Sequence, residues 1–286
     1  DILENIAVPL LVIGVYKLII LISQKDKMSS GGALGVAFLF LFASLIRPHV
    51  LMIIFAVILI YTFYWLLFRK RHQLSSVGLK VLGVMLTVTL LGHVPIVVKN
   101  YQDFGKIFLS NQSGLELFQG HNEFARGSWQ MAIWKTHSKE LKPMFDSEPK
   151  LASYDEKQEM DFYQKQAINW VKANPAKELV LIARKTAIYF LPYNFNNLRL
   201  NVITLLTHLG LFGFILFSLW KRWRNQDLVA YLIVLAPILG SYILSILFFV
   251  GYRWRFYAEP FKLILAICFY VDMGQKLLPK AKKVDV

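Results

Sequence analysis

The sequence predicts an all-α polytopic membrane protein of about seven transmembrane helices, carrying a mixed or helical extracytoplasmic loop domain. Three observations predict it. The chain of 286 residues is 56% hydrophobic and 17% charged, with a mean hydropathy of +0.47, a more apolar balance than soluble domains show. Apolar stretches recur at lengths near the roughly 20 residues that a helix needs to cross hydrocarbon. Basic residues cluster beside alternate ends of those stretches, as they do on the cytoplasmic side of membrane proteins.

The candidate spans are residues 6–23, 33–46, 50–68, 77–98, 202–220, 228–250 and 261–273, the second and the last being short. They divide the chain into residues 1–98 with the first four spans, an external segment 99–192, and residues 193–286 with the last three spans and a short tail. The external segment is too long for a tight connection and is expected to form a loop domain. If the spans alternate, "SQKDK", "RKRHQ", "KRWRNQ" and "QKLLPKAKK" share one side, which the positive-inside rule makes cytoplasmic. Residues 1–4, "RPH" at 47–49, the loop domain and "GYRWRFYAEP" then lie outside.

A net charge of +14 suits nucleic acid, anionic lipid or an anionic substrate. Its division among short loops, with no soluble domain bearing a basic stripe, argues against nucleic acid. The lone Cys268 gives no disulfide framework and no thiolate metal site. The six histidines show no metal-ligand spacing, so no metal site is assigned, and a divalent cation stays open as a cofactor. No nucleophile elbow, P-loop or dinucleotide fingerprint precedes a suitable helix. Asn111-Gln112-Ser113 fits the glycosylation sequon, a three-residue pattern that also recurs by chance.

Within the external segment, "KNYQDFGKIFLSNQSGLELFQGHNEFARGSW" mixes Gly, Asn, Ser and aromatics in a way that suits turns and short strands. The second half reads as two helices. Ser153 and Glu156 form a candidate capping box, and Tyr163, Ala167, Trp170 and Val171 recur at helical spacing. The Asn174-Pro175 step ends that helix and opens the next. There Leu179, Ile182, Ala183, Ala187 and Ile188 form an apolar stripe, leaving Lys177, Arg184 and Lys185 polar. This pattern fits a helix lying in the membrane interface, and equally one packed on the domain's own core.

"GYRWRFYAEPF", residues 251–261, interrupts the apolar run with two arginines and a glutamate on the side where anchoring bases are least expected. Arg253 and Arg255 fit helix-end anchors that snorkel to the interface. They also fit a site for a lipid phosphate, which guanidinium groups bind through paired hydrogen bonds.

Four stretches carry a resemblance. "LIRPHVLMIIFAVILIYTFYWLLFRKR", "VPIVVKNYQDFGKIFLSNQSGLELFQGHNEFARGSW", "AINWVKANPAKELVLIARKTAIYF" and "YRWRFYAEPFKLILA" stand in the order expected of the polytopic type C glycosyltransferases. The chain resembles the protein mannosyltransferase-like group, whose members take a sugar from a polyprenyl- or dolichyl-phosphate carrier. The resemblance implies an inverting glycosyltransferase acting on the extracytoplasmic face, with a polyprenyl- or dolichyl-phosphate sugar as donor and a glycan, lipid or protein as acceptor. It implies an integral multi-pass location, in the plasma or inner membrane of a bacterium or the endoplasmic reticulum of a eukaryote. The family's opening span and acidic loop are not matched, so the chain is expected to be the C-terminal part of a longer enzyme. Glu4 resembles the family's second acidic position and is the candidate catalytic carboxylate; it also fits a solvated group at a helix N-terminus. Arg253, Arg255 and Arg47 are implied donor-phosphate ligands. Tyr252, with Gly120, His121 and Asn122 of the external loop, is implied at the donor or acceptor, His121 standing where the family more often has asparagine. The alternatives are a transporter or flippase, or a non-catalytic membrane subunit, binding an anionic lipid-linked substrate.

Overall fold

The computed structural model describes residues 2–23, 29–72, 76–105, 107–109, 113–128, 154–190, 198–219, 228–251 and 255–277. Arg253, Tyr252, Trp254, Asn111 and Ser153 lie outside the described residues, as do most of the basic runs used for orientation and the side chain of Glu4. The described chain is mostly helical, joined by turns and short connections. In order it forms α1 (Ile2–Ser23), α2 (Ser30–Ile46), α3 (Val50–His72), α4 (Val77–Phe104), α5 (Ser113–Gly120), α6 (Glu156–Ala173), α7 (Pro175–Phe190), α8 (Leu198–Gly213, continued by a π-helical stretch Phe214–Leu219), α9 (Leu228–Leu247) and α10 (Glu259–Leu277).

Among the described residues four helical stretches are long and apolar enough to cross a membrane: Asn5–Ser23, Val50–Lys70, Val77–Phe104 and Leu228–Leu247. Two shorter apolar ones are Ser30–Ile46 and Val202–Phe217. Their outward faces are as apolar as their inward ones. Tyr16 of α1, Phe63 of α3 and Leu91 of α4 are each more than 60% exposed, which suits a surface facing hydrocarbon. The helix ends follow local chemistry. Ser29 caps α2 by accepting from the Gly32 N–H, and α2 stops at Arg47 because Pro48 disfavours helical backbone before it. Gly105 takes the left-handed conformation, φ 65°, that closes α4. Pro9, Pro95 and Pro237 sit inside helices, as membrane spans tolerate when neighbouring helices support the backbone.

Packing joins α1, α2 and α4 on one side, α3 with α9 and α10 in the middle, and α8 with α10 on the other. Small residues set the close approaches: Gly92 of α4 lies against Leu41 of α2, and Gly240 of α9 against the Ile53 backbone of α3.

The loop domain corrects two expectations. Residues 113–120 form α5 where turns and short strands were expected; among the described residues the only sheet-type pairing is an isolated parallel bridge between Ser128 and Val250. An eight-residue helix is marginal alone. Packing on α6 holds it, with Phe118 and Tyr163 ring centroids 5.5 Å apart. The capping box of α6 is formed by Asp155 and Gln158, at 2.7 and 3.1 Å, so the N-cap is Asp155 and Glu156 is the first helical residue. The Asn174-Pro175 step divides α6 from α7 as the sequence predicts.

Helix α7 lies antiparallel along the end of α9. Lys185 Nζ donates to the Ile246 carbonyl at 2.8 Å, the Thr186 and Tyr242 hydroxyls meet at 2.8 Å, and Tyr189 Oη donates to the Ile238 carbonyl at 3.0 Å. The run from Ile238 to Leu247 is about 13 Å of helix at 1.5 Å per residue. The amphipathic pattern is therefore turned over. Glu178, Leu181, Lys185 and Tyr189 form the buried face, whereas Leu179 and Val180, 69% and 63% exposed, point away. Lys185, expected among the polar exposed residues, is fully buried, because the carbonyls at the end of α9 need donors that only a polar residue on this face can supply.

Candidate functional site

Segments far apart in the chain meet where α2, α3, α7, α9 and α10 end or begin. Three contacts dock the external loop on the end of α9. Gly120 is buried, and a Cβ there would overlap the Phe248 carbonyl, so only glycine lets the two backbones touch. His121 Nε2 lies 2.7 Å from the Leu247 carbonyl oxygen. The Val250 N–H donates to the Gly127 carbonyl at 2.8 Å, next to the Ser128 bridge, and Gly127 supplies the positive φ of 86° that this turn requires. Asn122 shapes the turn itself: its Nδ2 donates to the Phe118 carbonyl at 2.7 Å and its Oδ1 accepts from the Phe124 N–H at 2.8 Å.

Under this turn lies a buried polar group that the sequence reading missed. His121 Nδ1 is 3.0 Å from Glu178 Oε2, and Lys185 Nζ is 3.2 Å from His121 Nε2. Glu178 and Lys185 stand seven residues apart, two turns along one face of α7, a spacing visible in the sequence once α7 is given an inward polar face. Outside this group, Lys177 and Glu123 pair at 2.7 Å but are more than half exposed, so that pair contributes little.

Burial pulls the Lys185 ammonium from its ordinary 10.5 down to about 8, with Glu178 opposing the fall. The folded state thus gives up this proton more readily than the unfolded chain does. Between pH about 8 and about 10.5 the unfolded chain binds more protons, so stability rises with pH across that window and is flat in this group below it. Thermal unfolding followed from pH 7 to 10.5 is expected to show that rise in the wild type and a smaller one in Lys185→Met.

Arg255 packs against the far end of α7. Arg255, 9% exposed, places Nε 3.7 Å from Glu259 Oε1, and its Nη1 donates to the Ile188 carbonyl at 3.4 Å. The same Glu259 Oε1 accepts from Lys262 Nζ at 3.1 Å. Lys262 is fully buried and sits 4.3 Å from the centre of the Tyr189 ring, a cation–π contact. An ionisable residue inside the apolar run "FKLILA" was the signal for it. Tyr257, also fully buried, meets the His49 ring edge-on at 4.7 Å, which joins the "RPH" turn holding Arg47 to the arginine segment.

Of the candidate residues, Gly120, His121, Asn122 and Arg255 are therefore brought to one end of the bundle, with Arg47 two residues from a direct contact. Glu4 lies in the first turn of α1. Beside the "RPH" turn, Leu51, Phe55, Leu90, His93, Val94, Val97 and Leu109 line a groove of about 240 Å³ between the ends of α3 and α4. Among the described residues no three His, Cys, Asp or Glu side chains converge to hold a metal ion. Comparison with protein-family models, curated proteins and solved structures finds no match to this chain.

Proposed function

We propose that this chain is a membrane glycosyltransferase component that holds a polyprenyl-phosphate sugar at the extracytoplasmic end of a seven-span bundle and transfers the sugar to an acceptor there. One observation carries the reading: the four separated stretches, around residues 47–49, 120–128, 178–189 and 246–262, meet in one buried, cation-bearing corner. A packed core alone has no need of Arg255 and Lys262 sharing one carboxylate beside apolar helices.

In this reading Arg255, with Arg253 and Arg47, receives the carrier phosphate, and the apolar groove beside the "RPH" turn takes the first isoprenes. The acceptor hydroxyl oxygen bonds to the anomeric carbon as the bond from that carbon to the phosphate oxygen breaks, with inversion. The hydroxyl proton leaves to a carboxylate, for which Glu4 is the candidate on this chain. Guanidinium groups stabilise the departing phosphate most where its charge grows, in the transition state.

The test uses the full chain in lipid nanodiscs. Undecaprenyl monophosphate is expected to bind at least about tenfold more tightly than neutral undecaprenol, a difference of one charge-assisted hydrogen bond or more. Equal affinity for the two contradicts the reading. Selective binding without release of carrier phosphate from a sugar-charged donor favours a transporter or binding subunit.

A further inference from the structure

We infer that His121, Glu178 and Lys185 act together as positioning residues that fix the end of α9 and thereby aim the arginine segment that follows it. The inference rests on the proposed function only for what the segment is aimed at. The geometry stands by itself.

Hydrogen-bond roles make the three side chains one unit. A carboxylate accepts, so His121 Nδ1–H donates to Glu178 at 3.0 Å. A carbonyl also only accepts, so Nε2 donates to Leu247 at 2.7 Å when it carries a hydrogen and accepts from Lys185 at 3.2 Å when it does not, while Lys185 donates to Ile246 at 2.8 Å in either case. The polar atoms of all three face one another and the end of α9, so their role is exerted through the backbone they hold.

That backbone is the last turn of α9, whose final carbonyls have no partner within the helix. Two consecutive ones, of Ile246 and Leu247, meet Lys185 and His121, which contact each other, His121 being held in turn by Glu178. Gly251 follows four residues later, and its carbonyl accepts from the Arg255 N–H at 3.3 Å, which ties the end of α9 to the backbone of Arg255. A hydrophobic contact in place of this group would bury the same area without fixing two carbonyl directions.

The test compares Lys185→Met, Glu178→Gln and His121→Asn in the full chain, reading amide hydrogen exchange, thermal unfolding and undecaprenyl monophosphate binding. Positioning predicts faster exchange at residues 248–251 and 255–258 with the other helices unchanged, and binding weakened roughly tenfold. It also predicts that Lys185→Met combined with Glu178→Gln is no worse than the more damaging single change, since the three act as one unit. Unchanged exchange at those residues overturns the inference, and so does faster exchange spread over the whole bundle. Wild-type protein that fails to bind the lipid phosphate, with exchange still altered only at 248–258, overturns the proposed donor and leaves the positioning role in place.

Discussion

Gly120→Ala is expected to undock the external loop from the end of α9. The added methyl group would have to occupy the position of the Phe248 carbonyl, and the obstacle is backbone on both sides, so no side-chain rotation relieves it. Forced overpacking costs about 1–3 kcal/mol and sometimes more; a backbone obstacle falls at the upper end. Losing this contact also withdraws His121 from the Leu247 carbonyl and leaves Glu178 and Lys185 buried with one partner fewer. Limited proteolysis and hydrogen exchange across residues 113–128 and 246–251 should show the loop released. Gly83→Ala, inside α4 with open space beside it, is the control and should behave as wild type. Equal protection in the two variants would mean that the docked turn does not depend on this backbone contact.

Arg255→Ala should have the second large effect, on ligand binding more than on folding. Its guanidinium is mostly buried and already oriented by Glu259 and the Ile188 carbonyl, so a phosphate would meet a preorganised group. Loss of such a contact is worth about 1.5–3 kcal/mol, or roughly 10- to 150-fold in affinity for undecaprenyl monophosphate. Glu259 keeps Lys262 as a partner at 3.1 Å, so the thermal midpoint should move little. Arg255→Lys should restore only part of the affinity, because an ammonium cannot reproduce the paired geometry. Wild-type affinity in Arg255→Ala would remove this residue from the donor site.

The helices were legible because a long apolar stretch is written in composition: each predicted stretch lies within or largely overlaps an observed helix, from α1 through α4 and α8 through α10, and among the described residues four of these helices are long and apolar enough to cross a membrane. The break between α6 and α7 was legible because proline acts on its own neighbour, whatever the tertiary context. Residues 113–120 were not, since their helix exists by packing on α6 across more than forty residues of sequence. Which face of α7 packs was not legible for a related reason. Periodicity shows that one face is apolar and left two readings; packing on the domain through that face fails where the end of α9 presents a carbonyl to Lys185, and the exposed Leu179 still suits a helix in the membrane interface. Within the site, Arg255 stood out in sequence as a break in an apolar run, and the Gly120–Asn122 turn was singled out through the resemblance. Glu178 and Lys185 look like ordinary surface charges until α9 is placed beside them. Lys262 was hidden by Glu259, three residues earlier, which makes the pair resemble a solvated helix start.

The central claim is that the corner formed by residues 47–49 and 255–262 holds a lipid phosphate. Photocrosslinking tests it most directly, using a polyprenyl monophosphate with a diazirine in its first isoprene and the full chain in nanodiscs, followed by peptide mapping. The account predicts adducts on the peptides carrying Arg47–Leu51 and Arg255–Lys262, suppressed by excess undecaprenyl monophosphate and not by undecaprenol. Adducts spread evenly over the lipid-facing helices, or competition by the neutral alcohol equal to that by the phosphate, would contradict it.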